Sequence, residues 1–371
     1  MYVNIAVLTE TKPDERRFAM VPTVAARLQR LGGRLHMQPG AAATLNLTDA
    51  DFPDAMFNDD AADMVADADV VLGVQAPSEK IIGAMKAGAI LICYIDEHQQ
   101  SDLVGLLMAQ KITCFAMQKI PRISRAQAMD ALSSQAALAG YLSVMLGAAL
   151  LKRVLPKVTS AAGAIGPAQV LVMGLGVAGL EAVATAHRLG AVVEGYDVRP
   201  DTAGQIASLG ATFVETGVNA TGKGGYARAL TAAEHTKVDA ALTKHIQAAD
   251  LIITTAAIPG KASPRLISKE QVTGMKAGSV IVDLSAEGGG NCAASVPGET
   301  VRVGMVTIAA PLNVPSLLCE DASALYSKNL HALLGLMLKD NIVTIDWTDE
   351  VLAQTALTHD GKIMHAPAKA A

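Results

Sequence analysis

The six residues from Gly174 to Gly179, Gly-Leu-Gly-Val-Ala-Gly, have the types and spacing to hold a pyrophosphate. In a G-x-G-x-x-G turn the first glycine permits the tight turn, the second lets phosphate approach the backbone, and the third lets helix and strand pack closely. The phosphates then lie on N–H groups that the start of a helix leaves unbonded. The next group able to do chemistry is Asp197, about where a ribose-binding acid belongs, roughly 20 residues past the turn. A carboxylate there accepts from a 2′-hydroxyl and repels a 2′-phosphate, which favours NAD over NADP. Arg199 is the competing signal, because an arginine can hold that phosphate. A glycine-rich turn that binds nothing is the bland alternative, and the strand, helix and strand around the motif count against it.

A second constellation lies in Met117 to Ser134, where polar side chains interrupt the apolar pattern. Pro121 blocks a helix before it, and Ser124 can cap a helix that starts near Arg125 and runs to about Leu155. On that helix Gln127, Asp130 and Ser134 share a face, with Ser133 on its edge. Spacing alone leaves a solvated helix start and a site equally open. Gly217 to Tyr226 is glycine-rich and polar with one aromatic, and reads as a mobile loop. The run from Asp283 to Asn291 ends a strand in glycines, where α/β proteins bind ligands. The four cysteines lack C-x-x-C spacing and the eight histidines lack a ligand spacing, so reduced structural thiols and no metal are expected.

The elements that must position these groups alternate as in a parallel α/β sheet. Strands are predicted at Ile5 to Leu8, Leu35 to Met37, Val70 to Val74, Ile90 to Tyr94 and Ile112 to Ala116. A helix over Thr23 to Leu31 stops at Gly32-Gly33. A second sheet follows: Gln169 to Met173, Ala191 to Tyr196, Thr212 to Val214, Leu251 to Thr255, Ser279 to Leu284 and Met305 to Ile308. At 371 residues about two domains are expected, and a chain that is 51% hydrophobic but only 3% aromatic must build its cores from aliphatic residues. The expected fold class is α/β, with two Rossmann-like doubly wound parallel-sheet domains and a cleft between them. The expected domains are residues 1–130 plus 326–371, and residues 131–325, the latter carrying the dinucleotide turn and the linking helix. Ala136 to Leu151 reads as a buried helix, too short to span a membrane comfortably. The N-terminus enters a strand with no secretory signal. From Lys362 onward the tail is expected to be loose. A net charge of −5 and the lack of a basic patch argue against nucleic acid as a partner.

Arg122 to Gln135, Arg-Ile-Ser-Arg-Ala-Gln-Ala-Met-Asp-Ala-Leu-Ser-Ser-Gln, resembles the signature of the NAD(H)-binding component of proton-translocating nicotinamide nucleotide transhydrogenase. Gly174 to Gly179, Tyr196-Asp197-Val198-Arg199, Gly224 to Ala227, Thr254 to Gly260, Glu287 to Cys292 and Asn313 to Ser316 are similar to that family in the same order. The resemblance covers nearly the whole chain. It implies the fold shared with alanine dehydrogenases, with Gly174, Gly176, Val177, Gly179, Asp197, Val198 and Arg199 binding the cofactor. It further implies that Arg122, Gln127, Asp130 and Ser133 line the nicotinamide and that Tyr226 tips a loop closing over bound nucleotide. An amide such as Gln127 suits the carboxamide, because it offers donor and acceptor together. The partners implied are an NADP(H)-binding component and a membrane-spanning component carrying the proton channel. A homodimer, cytoplasmic and held at the inner face of the membrane through its partner, is implied as well.

The competing readings are an alanine dehydrogenase and a nucleotide-binding subunit without catalysis. Arg17, in Glu10 to Pro22, resembles the arginine that alanine dehydrogenases use for the substrate carboxylate. In that pattern, however, Gln75 stands where a catalytic lysine belongs. Asp96 stands at the catalytic histidine, unless a shifted alignment brings His98 there. Glu287 lies at the acidic position.

Overall fold

The structure is a computed structural model that describes residues 2–97, 100–221, 228, 230–258, 262–339 and 341–364. It divides into two compact units, Met1–Gln135 with Pro315–Ala371, and Ala136–Val314. The chain thus crosses at 135/136 and 314/315 rather than at the expected 130/131 and 325/326. The second crossing falls earlier because the whole helix Cys319–Met337 belongs to the first unit, where Tyr326, Leu330, Leu333, Leu334 and Met337 are buried in one core.

The first unit is built on a sheet whose described strands run in the order Lys362–Ile363, Ala356–His359, Thr113–Ala116, Ile90–Tyr94, Val70–Gln75, Val3–Val7, Gly33–Met37, Met56–Phe57. Its central strands pair in parallel, and only the two C-terminal strands run antiparallel. Period-two alternation sends Val70, Leu72 and Val74 into one core and Val71 into the other. Ile90 and Ile92 part from Leu91 and Cys93 in the same way, so both faces are covered. The helix Pro22–Arg30 starts on proline, where the missing N–H costs nothing, and buries Val24, Ala25 and Leu28.

The second unit repeats the plan in the order Thr212–Phe213, Val192–Tyr196, Gln169–Met173, Leu251–Thr254, Val280–Asp283, Val306–Ala309, Thr300–Val303, with only the last pair antiparallel. The first strand of that sheet, Gln169–Met173, lies between Val192–Tyr196 and Leu251–Thr254. The strand order therefore reverses at the carboxyl ends of Met173 and Thr254, which makes a crevice of the kind that binds ligands in open α/β sheets.

Three expectations are corrected. The continuous helix from Arg125 is broken: Ser124–Met129 is a 3-10 turn without a side-chain cap, and the α-helix is Ala131–Leu150. Asp130 sits between them with non-helical φ −71° and ψ 86°. Its carboxylate accepts from the Ser133 N–H at 2.9 Å, as an N-cap does. Gln127 and Asp130 consequently do not share an α-helical face. The helix is also not buried, since 33% of its most apolar window is covered and Leu132, Tyr141 and Leu150 are exposed. Finally, Lys362–Ile363 does not begin a loose tail but pairs with Thr358 and His359, and residues 365–371 of the expected tail lie outside the described residues.

Candidate functional site

The glycine turn of the second unit has the shape of a phosphate cradle. Gly174 has φ +98°, and a Cβ there would lie 2.8 Å from the Ala256 N and from the Thr255 Oγ1. A Cβ on Gly179 would lie 1.8 Å from the Gly174 carbonyl oxygen, so the helix Val177–Arg188 sits directly on the strand end. At Gly176 a Cβ would meet nothing within 4 Å. Two glycines are thus needed by the protein's own packing, while the middle one opens onto space at the helix N-terminus. The Leu180 N–H is bonded to the Gly176 carbonyl at 2.9 Å, and the helix start before it offers N–H groups and the positive end of the helix dipole. These features fit a pyrophosphate.

Asp197 follows the strand Val192–Tyr196 and is buried. Its Oδ2 accepts from the Leu175 N–H at 2.8 Å, which ties the acid to the glycine turn itself. Arg199 donates from its backbone N and Nε to Oδ1 at 2.9 and 2.8 Å, and from Nη2 to Oδ2 at 2.8 Å. Its hydrogen bonds to Asp197 hold the Arg199 guanidinium above its ordinary range. Arg199 is therefore committed to Asp197, whose carboxylate is tied to the glycine turn.

In the first unit, Asp130 and Ser133 are brought together: the Ser133 hydroxyl donates to Asp130 Oδ2 at 2.5 Å. Gln127 is exposed in the 3-10 turn, with its carbonyl accepting the Asp130 N–H at 3.2 Å, and Arg122 is exposed just before that turn. Ser134 turns elsewhere and bonds Asn329 Oδ1 at 2.8 Å. Tyr226 and His98 lie outside the described residues.

A polar cluster not foreseen from sequence lies beneath this region. The Arg17 guanidinium donates from Nε and Nη2 to the two Glu15 carboxylate oxygens at 2.7 and 2.6 Å, and from Nη1 to Gln135 Oε1 at 3.0 Å. Gln75 Nε2 donates to the same Glu15 carboxylate at 2.8 Å. Burial pushes the Glu15 carboxyl up, but the bonds from Arg17 outweigh it and hold the group below the usual carboxylate range. Glu10 accepts from the backbone N–H groups of Val74 and Gln75 at 2.5 and 3.2 Å, and burial raises its carboxyl to about 7. The sequence signal was there in Glu10, Glu15 and Arg17 around Pro13. Nothing in their spacing, though, reveals that Arg17 reaches Gln135.

Glu287, at the acidic position, accepts the Asn313 N–H at 2.9 Å. The thiols of Cys93, Cys114 and Cys292 are buried and free, and burial pushes Cys292 up, away from reactivity.

Two Rossmann-like sheets, one carrying a glycine cradle with a buried acid bonded to it, define the class as a nucleotide-binding α/β protein of the pyridine-nucleotide oxidoreductases. The chain matches the alanine dehydrogenase/PNT N-terminal domain over residues 6–139 and the alanine dehydrogenase/PNT C-terminal domain over residues 143–366, and it belongs to that family. It is 42% identical to the first part of the NAD(P) transhydrogenase alpha subunit of Rhodospirillum rubrum, over 98% of both chains. Among solved structures it is similar to the transhydrogenase from Sinorhizobium meliloti, with 39% identity, TM-score 0.88 and coverage of 97% of this chain and 99% of that one. An L-alanine dehydrogenase shares the fold at TM-score 0.79 and 22% identity, over 98% of this chain and 97% of that one.

Proposed function

We propose that this chain is the NAD(H)-binding component of a proton-translocating transhydrogenase. It binds NAD(H) at the Gly174–Gly179 turn, with Asp197, flanked by Val198, on the ribose. NADP(H) belongs to a separate partner component, and proton translocation belongs to a membrane-spanning one. Bound NADH supplies the hydride to the oxidised nicotinamide of the partner. The protein's part is positioning: Gln127 and Arg122 are exposed and able to hold the carboxamide, and Asp130 with Ser133 forms a fixed hydrogen-bonded pair beside them. Orientation of this kind lowers the barrier by several kcal/mol, on the order of what positioning supplies.

The observation that carries this reading over an alanine dehydrogenase is the state of Arg17. Its guanidinium is bonded through Nε, Nη1 and Nη2 to Glu15 and Gln135, and Gln75 supplies neither the charge nor the proton of a catalytic lysine. Amino-acid oxidation needs a group to take the substrate carboxylate and another to move the amine proton. The apolar helix Ala131–Leu150, with Tyr141 and Leu150 exposed, supports a homodimer. Association with the inner face of the membrane follows from the membrane-spanning partner.

The test is an assay of L-alanine with NAD, and of pyruvate and ammonia with NADH, on chain free of its partners. No turnover is expected. Turnover near 1–10³ per second, roughly the ordinary enzyme range, would overturn the proposal.

A further inference from the structure

We infer that Asp283, which among the described residues makes no hydrogen bond to the Gly174–Gly179 turn, is a positioning residue that sets the geometry of that turn through Asn291 and Ala256. This rests on the reading of that turn as the nucleotide site. Asp283 ends the strand Val280–Asp283, is fully buried, and lies opposite Thr254 in the parallel register. Five donors converge on its carboxylate. Oδ1 accepts from Thr254 Oγ1 and the Ser285 N–H, both at 3.0 Å. Oδ2 accepts from the Asn291 N–H at 2.8 Å, the Cys292 N–H at 3.0 Å and Ser295 Oγ at 2.7 Å. Only a group with two acceptor oxygens and no donor can satisfy all five. The structure spends it on folding the segment from Ser285 to Ser295 back onto one point, and Gly290 lies so close that a Cβ would be 2.8 Å from Oδ2.

What that fold accomplishes is the placement of Asn291. Fully buried, Asn291 uses its amide as a clamp: Oδ1 accepts the Ala256 N–H at 3.0 Å, and Nδ2 donates to the Ala256 carbonyl at 2.9 Å and to the Pro264 carbonyl at 2.7 Å. Ser285 Oγ adds a second bond to the Ala256 carbonyl at 2.9 Å. Both backbone groups of Ala256 are thereby fixed by side chains that Asp283 holds. Ala256 and Thr255 in turn form the wall against which Gly174 is packed, and Thr255 Oγ1 donates to the Gly174 carbonyl at 2.8 Å. Gly174 begins the turn that presents Gly176 and the helix N-terminus. A displacement of Ala256 is therefore passed to the glycine turn through Thr255 and Gly174. Networks in which every member is satisfied are rigid, and loss of one member is felt by its neighbours.

The experiment compares wild type with Asp283→Asn, Asn291→Ala and the double variant, with Thr254→Val and Ser295→Ala as milder changes that each remove one donor and keep the carboxylate. Two quantities are read on folded protein: amide hydrogen exchange over residues 172–180 and 254–258 without nucleotide, and the dissociation constant for NADH. Asp283→Asn and Asn291→Ala are each expected to speed exchange in both segments and to raise the NADH constant about tenfold to a hundredfold. The double variant should be no worse than the stronger single one, as for residues acting in one chain of contacts. If Asp283→Asn does not fold, the two milder variants carry the test with an expected rise of about threefold. Unchanged exchange in these segments overturns the inference whatever nucleotide does. Faster exchange with an unchanged NADH constant overturns it too, by reducing Asp283 to a stability role. Wild-type chain that fails to bind NADH refutes the reading of the site, and the exchange data still decide the positioning.

Discussion

Replacing Asp197 by asparagine should do more than weaken NADH binding; it should shift the choice between the two nucleotides toward NADPH. The carboxylate receives one bond from the Leu175 N–H and three from Arg199. Asparagine can keep its oxygen toward Leu175, which preserves the turn, but its amide hydrogens then face the Arg199 donors and release the guanidinium. Loss of a hydrogen bond from a ribose hydroxyl to a charged acceptor costs about 1.5–3 kcal/mol, or roughly tenfold to 150-fold in the NADH dissociation constant. The released Arg199 can pair with a 2′-phosphate, and a charge-assisted bond of the same size would favour NADPH in the opposite direction. The ratio of NADPH to NADH dissociation constants should therefore fall by at least about a hundredfold. Calorimetric titration of both nucleotides reads it directly, with melting temperature as the control for folding. Arg199→Ala should leave the preference for NADH in place and, combined with Asp197→Asn, should abolish the gain in NADPH binding. A ratio unchanged in folded Asp197→Asn would refute the assignment of Asp197 to the ribose.

Three further outcomes are expected. Gln127→Ala should slow hydride transfer to the partner's nucleotide at least about tenfold while changing the NADH constant by less than about threefold, because the exposed Gln127 is assigned to the ring alone; a tenfold weaker affinity with unchanged single-turnover transfer would make it a binding contact only. Asp130→Ala removes the acceptor at the start of the helix Ala131–Leu150 and should lower stability by about 1 kcal/mol in denaturant titration, and no change would show that the cap is not felt. Glu10 has its carboxyl raised from 4.5 to about 7 in the folded state, so its contribution is fully present below about pH 4.5 and is lost as pH rises through 7; relative to wild type, Glu10→Gln should flatten stability against pH in that window by roughly 3 kcal/mol, and identical profiles would place the titration elsewhere.

Periodicity made the strands legible. Val70 to Gln75 and Leu251 to Thr254 are apolar on both faces, and the structure splits each between two cores. The glycine motif was equally legible, because Gly174 and Gly179 are demanded by close approaches that any larger side chain would block. The break at Asp130 was not, since Ser124 and Asp130 are both acceptable helix caps and only the tertiary setting selects the second. Pairings across long stretches of chain were out of reach as well. That Arg17 meets Gln135, that Arg199 turns back on Asp197, and that Asn291 clamps Ala256 are facts of folded geometry that side-chain type alone does not specify. The short antiparallel strand Lys362–Ile363 failed to announce itself because an edge strand of such length carries no alternation to read.

The central claim is best tested by mixing the purified chain, loaded with NADH, with an NADP-binding partner component carrying an oxidised NADP analogue, and following reduction of the analogue in a single turnover. Transfer that requires both components, proceeds without a membrane, and fails when NADPH replaces NADH on this chain is the predicted result. Absence of transfer with both nucleotides bound, or oxidation of L-alanine by this chain alone, would contradict the account.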